Sequence, residues 1–238
     1  MLEELKDANS YIIGKIEEKD SLILEMEDFA HENNVPIVTK EVAEYLKFIV
    51  KTHKVKNILE VGTAIGYSGI LMAKEIVGQD GKLYTIEIDE ERYNQAQENI
   101  KKSGLNNIVS IKGDAVEEIK KIEENFDFVF IDASKGHYMD FFEDSIKLLN
   151  KNGIIFIDNI MFRGYLYKEY PKRFKTIVKR LDSFIDSLYK REDGDFVLLP
   201  FGDGVGLFHK KWLIFFISWN NIKKDVLVLA HFFICSRN

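Results

Sequence analysis

Two short acidic segments, Ile131-Asp132-Ala133-Ser134-Lys135 and Ile157-Asp158-Asn159, each close an apolar run, and their aspartates lie 26 residues apart. An apolar run that stops abruptly on an acid reads as the carboxyl end of a buried strand. In an open parallel sheet that edge is where ligands bind. Asp132, Asp158 and Asn159 would then bring three oxygen ligands to one point, with Lys135 beside them. Hard oxygen donors suit Mg²⁺ or a similar divalent cation. Each residue also has an ordinary use: Asp132 as a helix cap, Asp158-Asn159 as a turn, Lys135 as a solvated surface charge. Their joint occurrence at two strand ends favours the metal-assisted reading.

A glycine-rich turn supplies a second site. Glu60-Val61-Gly62-Thr63-Ala64-Ile65-Gly66-Tyr67-Ser68-Gly69 follows a strand and opens a helix, and Gly62 and Gly66 permit close approach of a ligand to the backbone. The dinucleotide fingerprint needs a third glycine where Ala64 stands, which weakens a nicotinamide reading. Glu60 is awkward beside a pyrophosphate and favourable beside an ammonium or sulfonium cation. Glu87, ending Thr85-Ile86-Glu87, can accept both hydroxyls of a ribose. Gly113-Asp114-Ala115, ending the next strand, can bracket an adenine. An adenosine joined to a cationic amino-acid tail is S-adenosylmethionine.

The elements that must position these residues follow from apolar periodicity. Helical spacing dominates the first 54 residues, as in Leu22, Met26, Phe29 and Val42, Tyr45, Leu46, Ile49, with a break at Val35 to Thr39 and Thr39 as N-cap. From Asn57 onward, apolar runs at 57–61, 82–88, 108–112, 127–131 and 153–157 alternate with helical patterns at 67–77, 90–103, 115–123 and 138–150. That alternation predicts βαβ units on a parallel sheet covered on both faces. A helix opened by Pro171 follows, and Asp195 to Pro200 and Gly204 to Lys210 flank a Gly202-Asp203-Gly204 turn as an antiparallel edge hairpin.

Composition bounds the setting. With 46% hydrophobic and 30% charged residues, the 238-residue chain is long enough for one large globular α/β domain. Residues 1–211 are expected to form it, with 1–54 as a helical cover and 212–238 as an atypical apolar tail. The tail's two runs, Trp212 to Trp219 and Val226 to Cys235, fall short of the ~20 residues that cross a bilayer, so no membrane partner is expected. A lone cysteine and a charged N-terminus without a signal pattern point to the cytoplasm. The net charge is −6, yet Arg163, Lys168, Lys172, Arg173, Lys175, Lys179 and Arg180 stand against Glu169 alone, a local +6 that leaves −12 elsewhere. Such a basic helix face is either solvated or meets a polyanion.

The ordered set Glu60 to Ser68, Glu87, Asp132 to Lys135 and Asp158-Asn159 resembles the metal-dependent O-methyltransferase family, which includes catechol and caffeoyl-CoA methyltransferases and bacterial tRNA 5-hydroxyuridine methyltransferases. The resemblance covers roughly residues 30 to 210. It implies a Rossmann-like methyltransferase fold: a mostly parallel seven-stranded sheet with an antiparallel C-terminal edge and added N-terminal helices. It also implies that Asp132, Asp158 and Asn159 bind the cation, that Asp132 lies near the cofactor, and that Lys135 contacts the reacting hydroxyl. Ile37 and Val38 are expected near the methionine portion, and a homodimer is expected. Lys135 is either a general base, its proton affinity lowered by neighbouring cations, or an electrostatic orienter.

The segments Asp132 to Tyr138 and Asp158 to Gly164 look most like the tRNA-modifying branch. A 5-hydroxyuridine presents adjacent oxygens and chelates a metal as a catechol does, so the metal core does not separate the two acceptors. Arg163, Lys172, Arg173 and the rest of the basic helix are candidates for anticodon phosphates, and His137 or Tyr138 for stacking on a splayed base. Three readings follow: a tRNA wobble-uridine O-methyltransferase, an O-methyltransferase of small phenols, and a non-catalytic nucleotide-binding module.

Overall fold

The computed structural model describes residues 2–78 and 80–211. The apolar tail lies outside the described residues. Three helices come first, α1 (Leu2–Ile13), α2 (Ser21–Asn33) and α3 (Lys40–Thr52). Alternation then begins with β1 (Ile58–Val61), α4 (Tyr67–Glu75), β2 (Leu83–Glu87), α5 (Glu90–Ser103), β3 (Ile108–Lys112) and the short α6 (Ala115–Glu118). It continues through β4 (Phe126–Ile131), α7 (Tyr138–Leu148), β5 (Leu149–Ile157), α8 (Lys175–Tyr189), β6 (Gly194–Leu199) and β7 (Val205–Lys210).

One seven-stranded sheet runs β3-β2-β1-β4-β5-β7-β6. The first five strands pair in parallel, and β7 lies antiparallel between β5 and β6. The predicted edge hairpin therefore forms with β7 inserted and β6 outermost. Ile58, Leu59, Val61, Phe128 to Ile131 and Ile155 to Ile157 are fully buried, as expected for strands covered on both faces. Each such side chain contributes roughly 1.5–3 kcal/mol of burial energy.

The register aligns the strand ends. Val61 pairs with Ile86 and Ile131, Glu87 with Lys112, and Ile131 with Ile157. Gly62, Glu87, Gly113, Asp132 and Asp158 consequently stand along one edge, spanning the point beside β1 where strand order reverses. Crevices open at such a point.

Some boundaries differ from the periodicity. The 115–123 helix stops at Glu118 and tightens into a 3₁₀ turn, Ile119–Lys121. The helix expected over 138–150 ends at Leu148, because Leu149 already pairs with Phe126 and the ladder then shifts before Phe128 meets Ile154. Asn152 takes a left-handed φ of 61° inside that irregularity. Thr39 holds the N-cap position of α3, but its hydroxyl makes no capping hydrogen bond.

The N-terminal helices are bound to the sheet by both packing and polar ties. Ile23, Met26, Val42, Leu46 and Val50 share one core with Ile58, Ile70, Phe128 and Phe156. Asp20 caps α2 and pairs with Lys74 of α4, while Glu27 accepts from the Tyr67 hydroxyl at 2.8 Å and pairs with Lys40 at 2.6 Å.

Candidate active site

A cavity of about 560 Å³ opens at the carboxyl edge of the sheet. Of the residues singled out from the sequence, Ile37, Gly62, Glu87, Gly113, Asp114, Ala115, Asp132, Lys135, His137 and Asn159 line it. Pro36, Ile88, Arg92, Ser134 and Phe141 line it too and were not anticipated. Of these, Ile88 had a legible signal: an apolar side chain between two acids just past a strand, 65% exposed at the rim.

Gly62 has φ 103°, and a Cβ there would run into the Asp132 carbonyl. The turn after β1 and the end of β4 thus touch backbone to backbone, which only glycine permits. Ala64 keeps a left-handed conformation, φ 46°, despite its side chain. Its N–H donates to Glu87 Oε2 at 2.8 Å, and the Asp89 N–H donates to Glu87 Oε1 at 2.9 Å. Two backbone donors therefore fix the Glu87 carboxylate at the cavity wall. Asp114 caps α6 by accepting from the Val116 N–H at 2.9 Å.

Glu60 lies elsewhere than expected. It is fully buried beneath the turn, accepting from Ser68 Oγ and Thr85 Oγ1, each at 2.6 Å. The Thr63 hydroxyl reaches Thr85 Oγ1 at 2.5 Å and extends the chain. Burial, with smaller contributions from Asp132 and Glu87, pushes the Glu60 carboxyl up to about 7. Glu60 and Ser68 thus buttress the turn rather than face the cavity. Thr85 was missed, although a threonine in register with Glu60 on an apolar strand is the signal for such a partner. Gly66 and Tyr67 also stand back from the cavity, Gly66 as the N-cap of α4 and Tyr67 as the tie to α2. Val38 is packed in the core instead of at the cavity wall.

Asp132 and Asp158 stand side by side on neighbouring strands. Burial raises the pKa of both: Lys135 partly offsets this at Asp132, while Asp158 is pushed up to about 7 with Asp132 and Asp203 adding repulsion. Asp158 is only 1% exposed, and its Oδ1 accepts from the Asn159 N–H at 2.7 Å. Asn159 is left-handed, φ 51°. Among the described residues, no group of three or more His, Cys, Asp or Glu forms a metal site. The oxygen set of Asp132, Asp158 and Asn159 fits a divalent cation in another respect: its acids repel each other, and added positive charge relieves both. Asp203 was missed from the sequence; its Oδ2 accepts from the Arg163 N–H at 2.5 Å, tying the β6–β7 turn to the loop after β5.

The proposed acceptor contacts divide. Lys135 opens a 3₁₀ turn, Lys135–His137, with its Nζ 5.7 Å from the Tyr138 ring. His137 is exposed, its Nδ1 3.0 Å from Asp140 Oδ2. Tyr138 is buried, donating its hydroxyl to the Asp158 carbonyl at 2.8 Å, so its ring cannot stack on a base. Arg163, Lys172 and Arg173 are exposed but line no cavity next to Lys135, and Arg173 lies over the Phe174 ring at 4.7 Å. A second, more open cavity of about 790 Å³ is bordered instead by Lys175, Lys179 and Arg180 of α8 on one side and by Lys135 and His137 on the other.

Among the described residues, no helix is long and apolar enough to cross a membrane. Residues 16–211 match the O-methyltransferase family. The chain is 32% identical over 175 residues to the caffeoyl-CoA O-methyltransferase of Stellaria longipes, covering 68% of this chain and 71% of that protein. It is 30% identical over 171 residues to the catechol O-methyltransferase of Niastella koreensis, covering 69% and 77%. The crystal structure of the Bacillus cereus O-methyltransferase in complex with SAH superposes with a TM-score of 0.78 at 26% identity, covering 89% of this chain and all of that one. The chain belongs to the O-methyltransferase family, as a class I S-adenosylmethionine-dependent enzyme related to the caffeoyl-CoA and catechol O-methyltransferases.

Proposed function

We propose that this methyltransferase requires a divalent cation and that its acceptor is the 5-hydroxyuridine at a tRNA wobble position, which it converts to 5-methoxyuridine. The observation that supports this acceptor is the meeting of two cavities at Lys135 and His137, one of them bordered by Lys175, Lys179 and Arg180. A small phenol needs no basic groove next to the reacting centre; a phosphodiester chain does.

In this reading Glu87 accepts the ribose hydroxyls and Gly113, Asp114 and Ala115 border the adenine. Pro36 and Ile37 close the cavity from the N-terminal side and exclude water. Asp132, Asp158 and Asn159 would hold the cation, which when bound makes a coordinated hydroxyl more acidic and fixes its direction. Lys135 either accepts the acceptor's proton or, as a cation, holds the oxyanion left when that proton passes to solvent. The methyl group passes from sulfur to that oxygen, leaving the thioether product.

The second reading, a catechol-like phenol as acceptor, is supported by the 30% identity to the Niastella koreensis catechol enzyme. One experiment separates the two: methyl transfer from labelled cofactor, with Mg²⁺, to tRNA from a strain lacking the enzyme and to a panel of catechols. Label in tRNA that is lost on adding a chelator and on charge reversal of Lys175 and Lys179, with any catechol activity spared by the reversal, is the expected outcome. Transfer to catechols alone would remove the tRNA acceptor, chelator-insensitive transfer would remove the cation, and no transfer to anything would return the non-catalytic reading.

A further inference from the structure

The segment from Asn159 to Lys175 starts at the cofactor cavity and ends at the basic groove, and its interior is aromatic. Tyr165 stacks on Phe174 with centroids 5.5 Å apart and planes 26° apart, and Phe162 meets both edge-on at 5.4 and 5.3 Å. These half-buried rings form a floor. Tyr170, 36% exposed, packs against it 6.4 Å from Tyr165, and Tyr167, 59% exposed, lies beside it on the same loop. Lys168 lies over the Tyr167 ring at 5.3 Å, with Lys172 and Arg173 next along the chain. Large exposed rings among cations, beside a packed aromatic base, are the arrangement that receives nucleobases joined by phosphates.

The base is held at a cost. Phe162, Arg163 and Gly164 have consecutive left-handed φ values of 47°, 60° and 72°. At Gly164 a Cβ would come within 2.9 Å of the Tyr167 hydroxyl, so the ring folds down onto the glycine. Asp203 clamps the same turn: its carboxylate accepts from the Arg163 N–H and its carbonyl accepts from the Met161 N–H at 2.9 Å. Left-handed backbone at two non-glycine residues is strained, and strain of this kind is kept where it aims something.

We propose that Tyr167 and Tyr170 form a base-stacking platform for the RNA nucleotides flanking the acceptor, while Lys175, Lys179 and Arg180 follow the adjoining phosphates. This rests on the tRNA reading of the acceptor. A nucleotide carried by coenzyme A has related chemistry, but the separation of the platform and the groove along one connecting segment suits a chain of several nucleotides better than a single one.

The test uses the full chain and its Tyr167→Ala, Tyr170→Ala and double variants, with Tyr167→Phe and Tyr170→Phe as ring-preserving controls. Four quantities are measured: KM for hydroxyuridine-bearing tRNA, KM for caffeoyl-CoA, Kd for a synthetic anticodon stem-loop, and Kd for S-adenosylhomocysteine. Each alanine should raise the two RNA constants on the order of tenfold, with the phenylalanine variants near wild type and the S-adenosylhomocysteine constant unchanged. Unchanged RNA constants in the double alanine variant overturn the proposal, as does failure of phenylalanine to restore them. A loss confined to caffeoyl-CoA methylation overturns it in favour of the coenzyme nucleotide. If the wild type binds the stem-loop without methylating tRNA, the acceptor reading falls while the stem-loop constants still judge the platform. If it binds no stem-loop, both fall.

Discussion

The turns after β1 and β2 and the ends of β4 and β5 share one edge of the sheet, yet they satisfy their charges in different ways. On the cofactor side, Glu60 has both oxygens occupied by Ser68 and Thr85, and Glu87 accepts from two backbone N–H groups. That half is assembled by the protein alone. On the acceptor side, burial raises the pKa of both Asp132 and Asp158, Asp132 and Asp203 add repulsion at Asp158, and Lys135 is the cation that partly offsets the rise at each. That half carries more negative charge than it can balance, and its completion is left to what binds. In the proposed enzyme, the first half would hold a cofactor that is always the same, and the second, electrostatically unsatisfied, would be where the chemistry is induced.

The largest test of this contrast is Asp158→Ala. On the acceptor side it should lower kcat on the order of 10³-fold, the scale of a lost metal contribution, while S-adenosylhomocysteine affinity stays close to wild type. Calorimetric titration of the variant checks the second half of that statement, and parallel losses of both would erase the distinction between the two sides.

The next is the pH dependence of folding set by Glu60. Its carboxyl ionises near 4.5 when unfolded and near 7 when folded, so the unfolded chain loses its proton first as pH rises. The stability this group contributes is full below about pH 4.5 and is lost as pH climbs through 7, by about 3 kcal/mol. Urea unfolding of Glu60→Gln should show that part of the slope removed, since an amide keeps hydrogen bonds with both hydroxyls. An unchanged slope would mean that Glu60 is ionised in its buried site.

The smallest effect belongs to Glu87→Gln, which retains the shape and weakens charge-assisted acceptance from Ala64, Asp89 and a ribose. Cofactor affinity should fall roughly tenfold with kcat at saturation nearly unchanged. A kcat loss like that of Asp158→Ala would show that the two halves are not separable.

The strand ends and α5 were readable in the sequence because they depend on local pattern: an apolar run stopped by an acid, or a helix between Asp89 and Gly104. That Asp132 and Asp158 are neighbours followed from parallel pairing of consecutive strands. The inward turn of Glu60 was not readable from its own segment, since it depends on which residue of β2 lies opposite. From the sequence Tyr138 is a candidate for stacking on a base, but the helix it begins turns its hydroxyl onto the Asp158 carbonyl and buries the ring. Lys172 and Arg173 precede α8 proper, and one turn of helix separates them from the face that borders the groove. Composition registers such a charge cluster without its direction.

The contact between Gly62 and the Asp132 carbonyl joins the two halves with no side chain to act as a cushion. Shifts of the cofactor turn and of the first acid of the acceptor half must therefore occur together. Any free energy by which an occupied cofactor turn improves cation affinity must return, by thermodynamic reciprocity, as tighter cofactor retention once the cation is present. In the proposed metal-dependent enzyme, product release is the step that would feel this. A bound cation held by Asp132, Asp158 and Asn159 would tighten retention of the demethylated cofactor, so turnover would fall at high as well as at low metal concentration.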